Sequence, residues 1–311
     1  MISVALFFRA IFAFILSYTM TPAATRLSLA MGALDTPDGF RKINEQPMPR
    51  LGGLGFFAAS ALILFPTIKE NPTVAGLLAG GTVLMMGGVA DDTFGLSPMA
   101  KLLIQTVASA VALAFTGIPE YLSFFGLFRI ALSGGVGALI ALIRLVFTVN
   151  AVNFTDGLDG LASGISASAL LSLALYGAHF GSYSSAAAAI ILAFSVLGFI
   201  PHNRYRAKVF MGDCGSQFLG LSIALLSLGV SRHGGFTIET ALFLAIPTLD
   251  TVFAVLRRTA RGKSPFSADK GHLHHLLLRL GFSHPVAVRI LVFASALISA
   301  VTLVIVKSQR S

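Results

Sequence analysis

The chain contains no tryptophan, a single cysteine and few charges: only 11% of its 311 residues are Asp, Glu, Lys or Arg. One cysteine, Cys214, excludes an intrachain disulfide framework, and its small side chain suits a packed interior. Without tryptophan, any aromatic belt at a membrane surface must come from tyrosine and phenylalanine. The scarcity of charge, together with 55% hydrophobic residues and a mean hydropathy of +0.84, lies outside the range of soluble globular proteins and predicts a polytopic membrane protein.

Long apolar runs divide the sequence into candidate transmembrane helices, each about long enough to cross a bilayer. They predict an all-α, single-domain fold over residues 1–311 with about ten transmembrane helices, and an even number places both termini on one side. The segment 118–133 is apolar but interrupted by Pro119, Glu120 and Arg129, which favours an interfacial hairpin. The predicted helices cover residues 2–21, 51–68, 73–90, 99–117, 134–149, 160–180, 184–201, 214–231, 239–256 and 286–306.

Basic residues are concentrated in one set of the predicted loops, 22–50, 91–101, 202–213 and 257–285. These loops carry fourteen of the 22 Lys and Arg residues, against five on the opposite side. By the positive-inside rule they lie in the cytoplasm, and both termini lie outside. The same rule accounts for the net charge of +9, so no nucleic-acid partner is expected. Ten of the 13 acidic residues fall in or beside these loops, which predicts an active site on the cytoplasmic face.

Polar residues are densest in the stretch 150–162, between two apolar runs. Asn150 and Asn153 offer amide groups suited to reading a base or a sugar. Asp156 and Asp159 are three residues apart, so a helix beginning near Asp156 would place both carboxylates on one face of its first turn. The free N–H groups of that turn also suit phosphate. An N-cap followed by turn glycines is the alternative, but it accounts for Asp156 alone.

Two further acidic turns lie in the same set of loops. Asp91 and Asp92 end the third predicted span, where adjacent carboxylates are costly unless a metal ion or a cation offsets their charge, and Lys101 begins the next span. Asp213 follows a glycine just before the eighth span. A solvated acidic pair and a plain Gly-Asp turn are the alternatives. Carboxylate oxygen ligands favour Mg²⁺, with Mn²⁺ as the second choice.

Two basic loops are candidates for phosphate contacts. Lys42 lies in a proline- and glycine-rich loop that either touches substrate or only connects two spans. A histidine cluster lies in the loop before the last span, where the surrounding cations favour phosphate contact over zinc binding, and a plain surface loop is the remaining alternative. The cluster consists of His272, His274 and His275.

Acids for a divalent cation, basic residues for phosphates and a bilayer that supplies a lipid substrate together predict phosphoryl transfer at the cytoplasmic membrane surface. The rival class is a transporter or flippase, whose sites tend to lie near the membrane midplane. Most acids here fall at helix ends instead. Asp250 lies inside the ninth predicted span and is a functional candidate for that reason, although Arg257 or Arg258 could pair with it.

In their order along the chain, these motifs resemble those of the polyprenyl-phosphate N-acetylhexosamine-1-phosphate transferases, relatives of the phospho-N-acetylmuramoyl-pentapeptide transferase. The family includes the initiating enzymes of O-antigen, common-antigen and wall teichoic acid synthesis. The match runs from Asp35 to about His275. The resemblance implies a ten- or eleven-span protein of the bacterial inner (plasma) membrane that depends on magnesium and uses a UDP-sugar donor and undecaprenyl phosphate as acceptor. A homodimer is left open.

The resemblance also implies a role for each motif residue. Asp91 and Asp92 match the pair associated with the acceptor phosphate and catalysis, and Asp213 matches the magnesium ligand. Phe210 matches a ring that stacks near uracil, and Lys42 lies in the family's Arg-Lys motif. The nucleotide-side motif comprises Asn150, Asn153, Asp156 and the catalytic candidate Asp159, while the residues near the diphosphate are Lys101, His272, His275 and the catalytic candidate His274.

The form Asp-Lys-Gly-His-Leu-His-His at 269–275 is similar to the N-acetylglucosamine branch of the family, so UDP-N-acetylglucosamine is the expected donor. Another UDP-sugar, such as UDP-N-acetylmuramoyl-pentapeptide, is the alternative. Two departures from the family pattern, Asn44 in place of a frequent histidine and Arg144 in a usually apolar region, bear on the sugar more than on the reaction. Direct attack by the acceptor phosphate and a two-step route through a covalent carboxylate are both compatible with the sequence.

Overall fold

The computed structural model describes residues 3–36, 47–125, 127–231, 235–262 and 271–308. Within these ranges the fold is helical, with a few short strands. The helices are α1 (Val4–Met31), α2 (Gly53–Leu64), α3 (Pro72–Phe94), α4 (Pro98–Thr116), α5 (Gly134–Thr155), α6 (Leu161–His179), α7 (Tyr183–Asn203), α8 (Gly212–Gly229), α9 (Ile238–Leu242), α10 (Ala245–Thr259), α11 (Leu273–Arg279) and α12 (His284–Ser308). The strands are β1 (Leu34–Asp35), β2 (Met48–Pro49), β3 (Tyr121–Phe124), β4 (Phe128–Ala131) and β5 (Phe236–Thr237).

Seven of the described helices are long and apolar enough to cross a membrane: α1, α3, α4, α5, α6, α7 and α12. The polytopic helical fold predicted from composition is therefore confirmed. Each of the other predicted spans also coincides with helix, but α2 has 12 residues, α10 has 15, and α8 begins with a polar turn. The count of ten spans and the side on which the termini lie remain predictions.

The predicted span 239–256 is interrupted in the structure. Helix α9 ends at Leu242 and α10 begins at Ala245, so the continuous span was wrong. Pro247 explains the break, because a proline inside one continuous helix would lack its hydrogen bond to the preceding turn and would clash with it. In the first turn of a new helix, the missing N–H costs nothing.

The turn between α5 and α6 also differs from its prediction. Helix α5 continues to Thr155, and α6 begins only at Leu161, after Gly160 in a left-handed conformation (φ 81°). The sequence had suggested that Asp156 and Asp159 share the first turn of a helix, and the structure shows that they do not. They lie on the tight connection that joins the two helices.

Short strands lie in the α1–α2, α4–α5 and α8–α9 connections. The hairpin predicted for 118–133 is confirmed, since β3 and β4 pair antiparallel from Tyr121 opposite Ala131 to Phe124 opposite Phe128. Strand β5 adds to β3 in parallel. Strands β1 and β2 pair antiparallel and carry the chain from α1 towards α2.

Helix α8 forms the centre of the bundle and is buried along nearly its whole length. Glycines allow its neighbours to approach closely: a Cβ at Gly88 of α3 would overlap the backbone of Cys214, and a Cβ at Gly220 would lie 2.5 Å from Cα of Val149 in α5. Helices that pack backbone to backbone in this way have little freedom to slide. The close α3–α8 contact fixes the ends of both helices, where the acidic residues lie.

Candidate active site

Three carboxylates from two helix ends meet at one point. Asp91 and Asp92 lie in the last turn of α3, and Asp213 lies in the first turn of α8. Each offers an oxygen within 4.8 Å of the others. The two acidic turns that the sequence separates by 120 residues therefore form one cluster, as the metal-site prediction requires.

Asp92 joins the two helices directly. Its Oδ1 accepts the backbone N–H of Asp213 and its Oδ2 accepts that of Cys214, both at 3.1 Å. These N–H groups belong to the first turn of α8 and have no partner within their own helix. A carboxylate at this position caps α8 and favours its positive dipole end. Asp92 is thus a structural link as well as a member of the cluster.

Two cations balance the carboxylates. Nζ of Lys101 lies 2.5 Å from Oδ2 of Asp91 and 3.0 Å from Oδ2 of Asp213. Nε of Arg50 lies 3.3 Å from Oδ1 of Asp92, and its Nη2 lies 3.8 Å from Oδ1 of Asp213. Burial opposes the charge on Arg50, but the nearby carboxylates outweigh it and raise the pKa of the guanidinium above its usual value. Adjacent acids near hydrocarbon are tolerated here because cations offset them.

Arg50 was not predicted as a site residue, because in the sequence it was only one of the basic residues that indicate which loops lie in the cytoplasm. The backbone of its segment pairs with the segment before α8: Phe210 N donates to Pro49 O at 2.8 Å, and Gly52 N donates to Phe210 O at 3.0 Å. A Cβ at Gly53 would overlap Gly215, so the Leu-Gly-Gly that follows Arg50 is what permits this approach. Paired glycines directly after a basic residue were the signal available in the sequence.

The two asparagines of the 150–162 stretch lie in a polar network behind the acids. Nδ2 of Asn150 donates to Gln105 Oε1 at 2.7 Å, and Nδ2 of Asn153 donates to Ser216 Oγ at 2.8 Å. Gln217, one turn after Asp213, donates to Asp213 Oδ2 at 3.2 Å. The network orients Asp213, and Asn153 also reaches the cavity described next.

A cavity of about 250 Å³ opens beside Asp213. Six of the predicted site residues line it, which places three of the four residues of the nucleotide-side motif, the aromatic ring and the metal candidate around one space. Arg50, Asp35, Asn203 and His284 line it too and were not predicted. The six predicted residues are Asn153, Asp156, Asp159, Phe210, Asp213 and His275.

The two acids of the α5–α6 turn have different environments. Burial raises the pKa of Asp156 to about 7, and the charge of Asp213 acts in the same direction. Oδ2 of Asp159 accepts a hydrogen bond from the backbone N–H of Ala207 at 3.0 Å, and Asp159 is only 9% exposed. Asp156 is therefore a group that can exchange a proton near neutral pH, whereas Asp159 is tied to the loop before α8.

The three histidines do not act as one cationic patch. Only His275 lines the cavity among the three. His272 and His274 are buried with parallel rings 5.7 Å apart, and the ring of His274 lies against Gly157. Burial lowers the pKa of His274 to about 3, helped by the neighbouring histidines, so this residue contributes a neutral ring rather than a cation. Lys42 lies outside the described residues.

Comparison with known proteins places the chain among transferases. The description "Glycosyl transferase family 4" matches residues 74–231. A "probable undecaprenyl-phosphate N-acetylglucosaminyl 1-phosphate transferase" of Bacillus subtilis is 33% identical over 96% of this chain and 86% of its own length. The decaprenyl-phosphate N-acetylglucosaminephosphotransferase of Mycolicibacterium smegmatis is 34% identical over 88% of this chain and 75% of its own. The undecaprenyl-phosphate alpha-N-acetylglucosaminyl 1-phosphate transferase of Salmonella typhi is 31% identical over 89% and 78%.

Proposed function

Since the chain belongs to glycosyl transferase family 4, we propose that its acidic cluster is the active site of a polyprenyl-phosphate N-acetylglucosamine-1-phosphate transferase. The protein transfers N-acetylglucosamine 1-phosphate to a polyprenyl phosphate in the membrane. We assign the reaction to this site because Asp91, Asp92 and Asp213 converge beside a cavity that three residues of the nucleotide-side motif line.

The donor and the acceptor follow from the same proposal. UDP-N-acetylglucosamine supplies the sugar phosphate, undecaprenyl phosphate accepts it, and UMP leaves. Phe210 offers a ring for the uracil, and Asn153 offers an amide for base or sugar. The reaction takes place on the cytoplasmic face of a bacterial inner membrane, with α2, α8 and the α9–α10 pair completing ten spans.

The carboxylate cluster has the donor chemistry for Mg²⁺. Three aspartates with oxygens within 4.8 Å of one another suit a hard cation that prefers oxygen ligands. Asp213, which also lines the cavity, would hold the ion together with Asp91 or Asp92. When bound, such an ion supplies charge neutralisation for the diphosphate and its developing negative charge.

The protein's own groups act mainly by positioning. Lys101 and Arg50 each contact Asp213 and lie where they can also neutralise substrate phosphates. The acceptor phosphate attacks the β-phosphorus in line, the bond to the UMP oxygen breaks, and the negative charge passes to UMP. A phosphate monoester is already a competent nucleophile, so orientation and electrostatic stabilisation supply most of the rate enhancement.

The contacts of the aspartate pair show how both carboxylates are held in place. Asp92 uses both oxygens to cap α8. Asp91 accepts the N–H of Leu96 at 2.7 Å through Oδ1 and contacts Lys101 through Oδ2. We therefore assign the pair to holding the cluster and orienting the acceptor.

Donor binding should depend on the ionisation of Asp156. Above pH 7 its carboxyl group is charged and adds repulsion beside a diphosphate. At saturating acceptor, KM for UDP-N-acetylglucosamine is expected to rise roughly threefold between pH 6 and pH 8.5, the size expected for one extra charge several ångströms away in a solvated site. Asp156→Asn should flatten this rise. An equally steep pH dependence in the variant would contradict the assignment.

The test is a transfer assay with purified protein in liposomes that contain undecaprenyl phosphate, supplied in turn with tritiated UDP-N-acetylglucosamine and UDP-N-acetylmuramoyl-pentapeptide. We expect lipid labelling from UDP-N-acetylglucosamine that requires Mg²⁺ or Mn²⁺ and stops with EDTA. Labelling from the pentapeptide donor alone would change the substrate and keep the reaction. Turnover with neither donor would favour the transporter alternative.

A further inference from the structure

The buried carboxylate of Asp250, in α10, has no role in the reaction described above, and each of its two oxygens contacts the segment 272–273. It is 7% exposed. Its Oδ2 lies 2.9 Å from Nδ1 of His272, and its Oδ1 accepts the backbone N–H of Leu273, also at 2.9 Å. The sequence offered Arg257 or Arg258 as partners, but the structure gives Asp250 a histidine. Both oxygens thus hold the segment in which α11 begins.

These two contacts determine how α11 starts. His272 is the N-cap residue of α11, and its side chain makes no capping hydrogen bond. Asp250 supplies an acceptor from another helix for the first N–H of α11. Helix α11 has seven residues, too few for a helix to be stable alone, so external contacts must fix its position.

The same contacts determine which nitrogen of His272 carries a proton. A carboxylate accepts hydrogen bonds and cannot donate one, so the short contact requires a proton on Nδ1. The ring of His274 stacks parallel to that of His272 and lies against Gly157 in the α5–α6 turn. His275, the next residue, lines the catalytic cavity. The chain of contacts therefore runs from Asp250 through His272 to the wall of the site.

We infer that Asp250 is a positioning residue, which fixes the Nδ1–H form of His272 and anchors α11 so that His275 faces the sugar nucleotide. The kinetic part of this inference rests on the proposed function, but the protonation of His272 does not. An error in the role given to Asp250 can therefore be distinguished from an error in the proposed function.

Solid-state ¹⁵N NMR of histidine-labelled protein in lipid bilayers tests the inference directly. The His272 signals are identified by their loss in His272→Gln. In the wild-type protein Nδ1 of His272 should carry a proton. Nδ1 without a proton would overturn the inference, whether or not the protein transfers sugar phosphate.

Asp250→Asn provides the functional test. The amide can still accept the N–H of Leu273, but its NH₂ group then faces Nδ1, so the ring proton should move to Nε2. We expect kcat/KM for the sugar nucleotide to fall about 10- to 100-fold, as it does when the partner that orients a metal-binding histidine is removed. Asp250→Glu, which keeps a carboxylate, should restore part of the activity.

Two comparisons separate positioning from loss of folding. The double variant Asp250→Asn/His272→Gln should be no less active than His272→Gln alone, because residues that act through one another are not additive. Losses that multiply would show that Asp250 does not act through His272. Glu70→Gln also replaces a carboxylate by an amide, but at an exposed residue just before α3, at the end of that helix far from Asp91 and Asp92. It should leave activity at the wild-type level.

Discussion

Replacing Asp213 by asparagine should reduce transfer of N-acetylglucosamine 1-phosphate by roughly a thousandfold, because electrostatic groups at the site of developing charge carry a large share of such a rate enhancement. Asp213 is the one aspartate of the cluster that lines the cavity, and it also contacts Lys101 and Arg50. The substitution removes a charge and a candidate metal ligand at the same point. The measurement is kcat/KM in liposomes, over a titration of Mg²⁺.

The fold should survive this change. Asp92 caps α8 through the backbone N–H of residue 213, and the Lys101–Asp91 pair does not involve the substituted side chain. The melting temperature of Asp213→Asn should therefore lie within a few degrees of that of the wild type, and Mg²⁺ should no longer raise it. Glu70→Gln serves as the matched control. Wild-type turnover in Asp213→Asn would refute the role given to this residue.

Gly88→Ala should reduce activity by about a hundredfold or more, although Gly88 does not line the cavity. Its added Cβ would overlap the backbone of Cys214, so α3 and α8 must move apart. That movement separates Asp91 and Asp92 from Asp213, and a displacement of about 1 Å in a catalytic constellation can cost a hundredfold in rate. Overpacking of this kind also costs about 1–3 kcal/mol of stability, measurable as a lower melting temperature.

Gly135→Ala is the matched control, because a Cβ at Gly135 of α5 meets nothing within 4 Å. Replacing glycine by alanine in a helix is favourable by about 0.5–1 kcal/mol when space is available. This variant should therefore keep wild-type activity and be at least as stable. If Gly88→Ala also kept full activity, the close α3–α8 contact would not be what holds the cluster together.

Hydropathy was sufficient to predict the helices of the bundle, but not where each helix begins and ends. Apolar runs identified every long helix, but they did not locate helix ends: α1 continues ten residues beyond its predicted end at 21 and stops at Gly32, whose left-handed conformation closes it. Hydropathy reports where a chain meets lipid, whereas helix ends depend on local backbone chemistry. The break before α10 and the late start of α6 have the same origin.

The sequence predicted which residues form the site better than it predicted what each of those residues does. Acidic turns on one face indicated a cluster, because carboxylates near a membrane need partners. Sequence could not show that Asp92 caps α8, that Arg50 completes the charge balance, or that His272 and His275 face different neighbours. Those roles come from contacts between segments far apart in the chain, which no local pattern encodes.

In the proposed reaction the β-phosphorus of the donor travels with the sugar. The most direct test supplies UDP-N-acetylglucosamine labelled with ³²P at the α-position in one assay and at the β-position in another, with undecaprenyl phosphate as acceptor. We predict that the β-label enters the lipid and that the α-label is released as UMP. Release of both labels together as UDP, with the sugar alone on the lipid, would contradict the account.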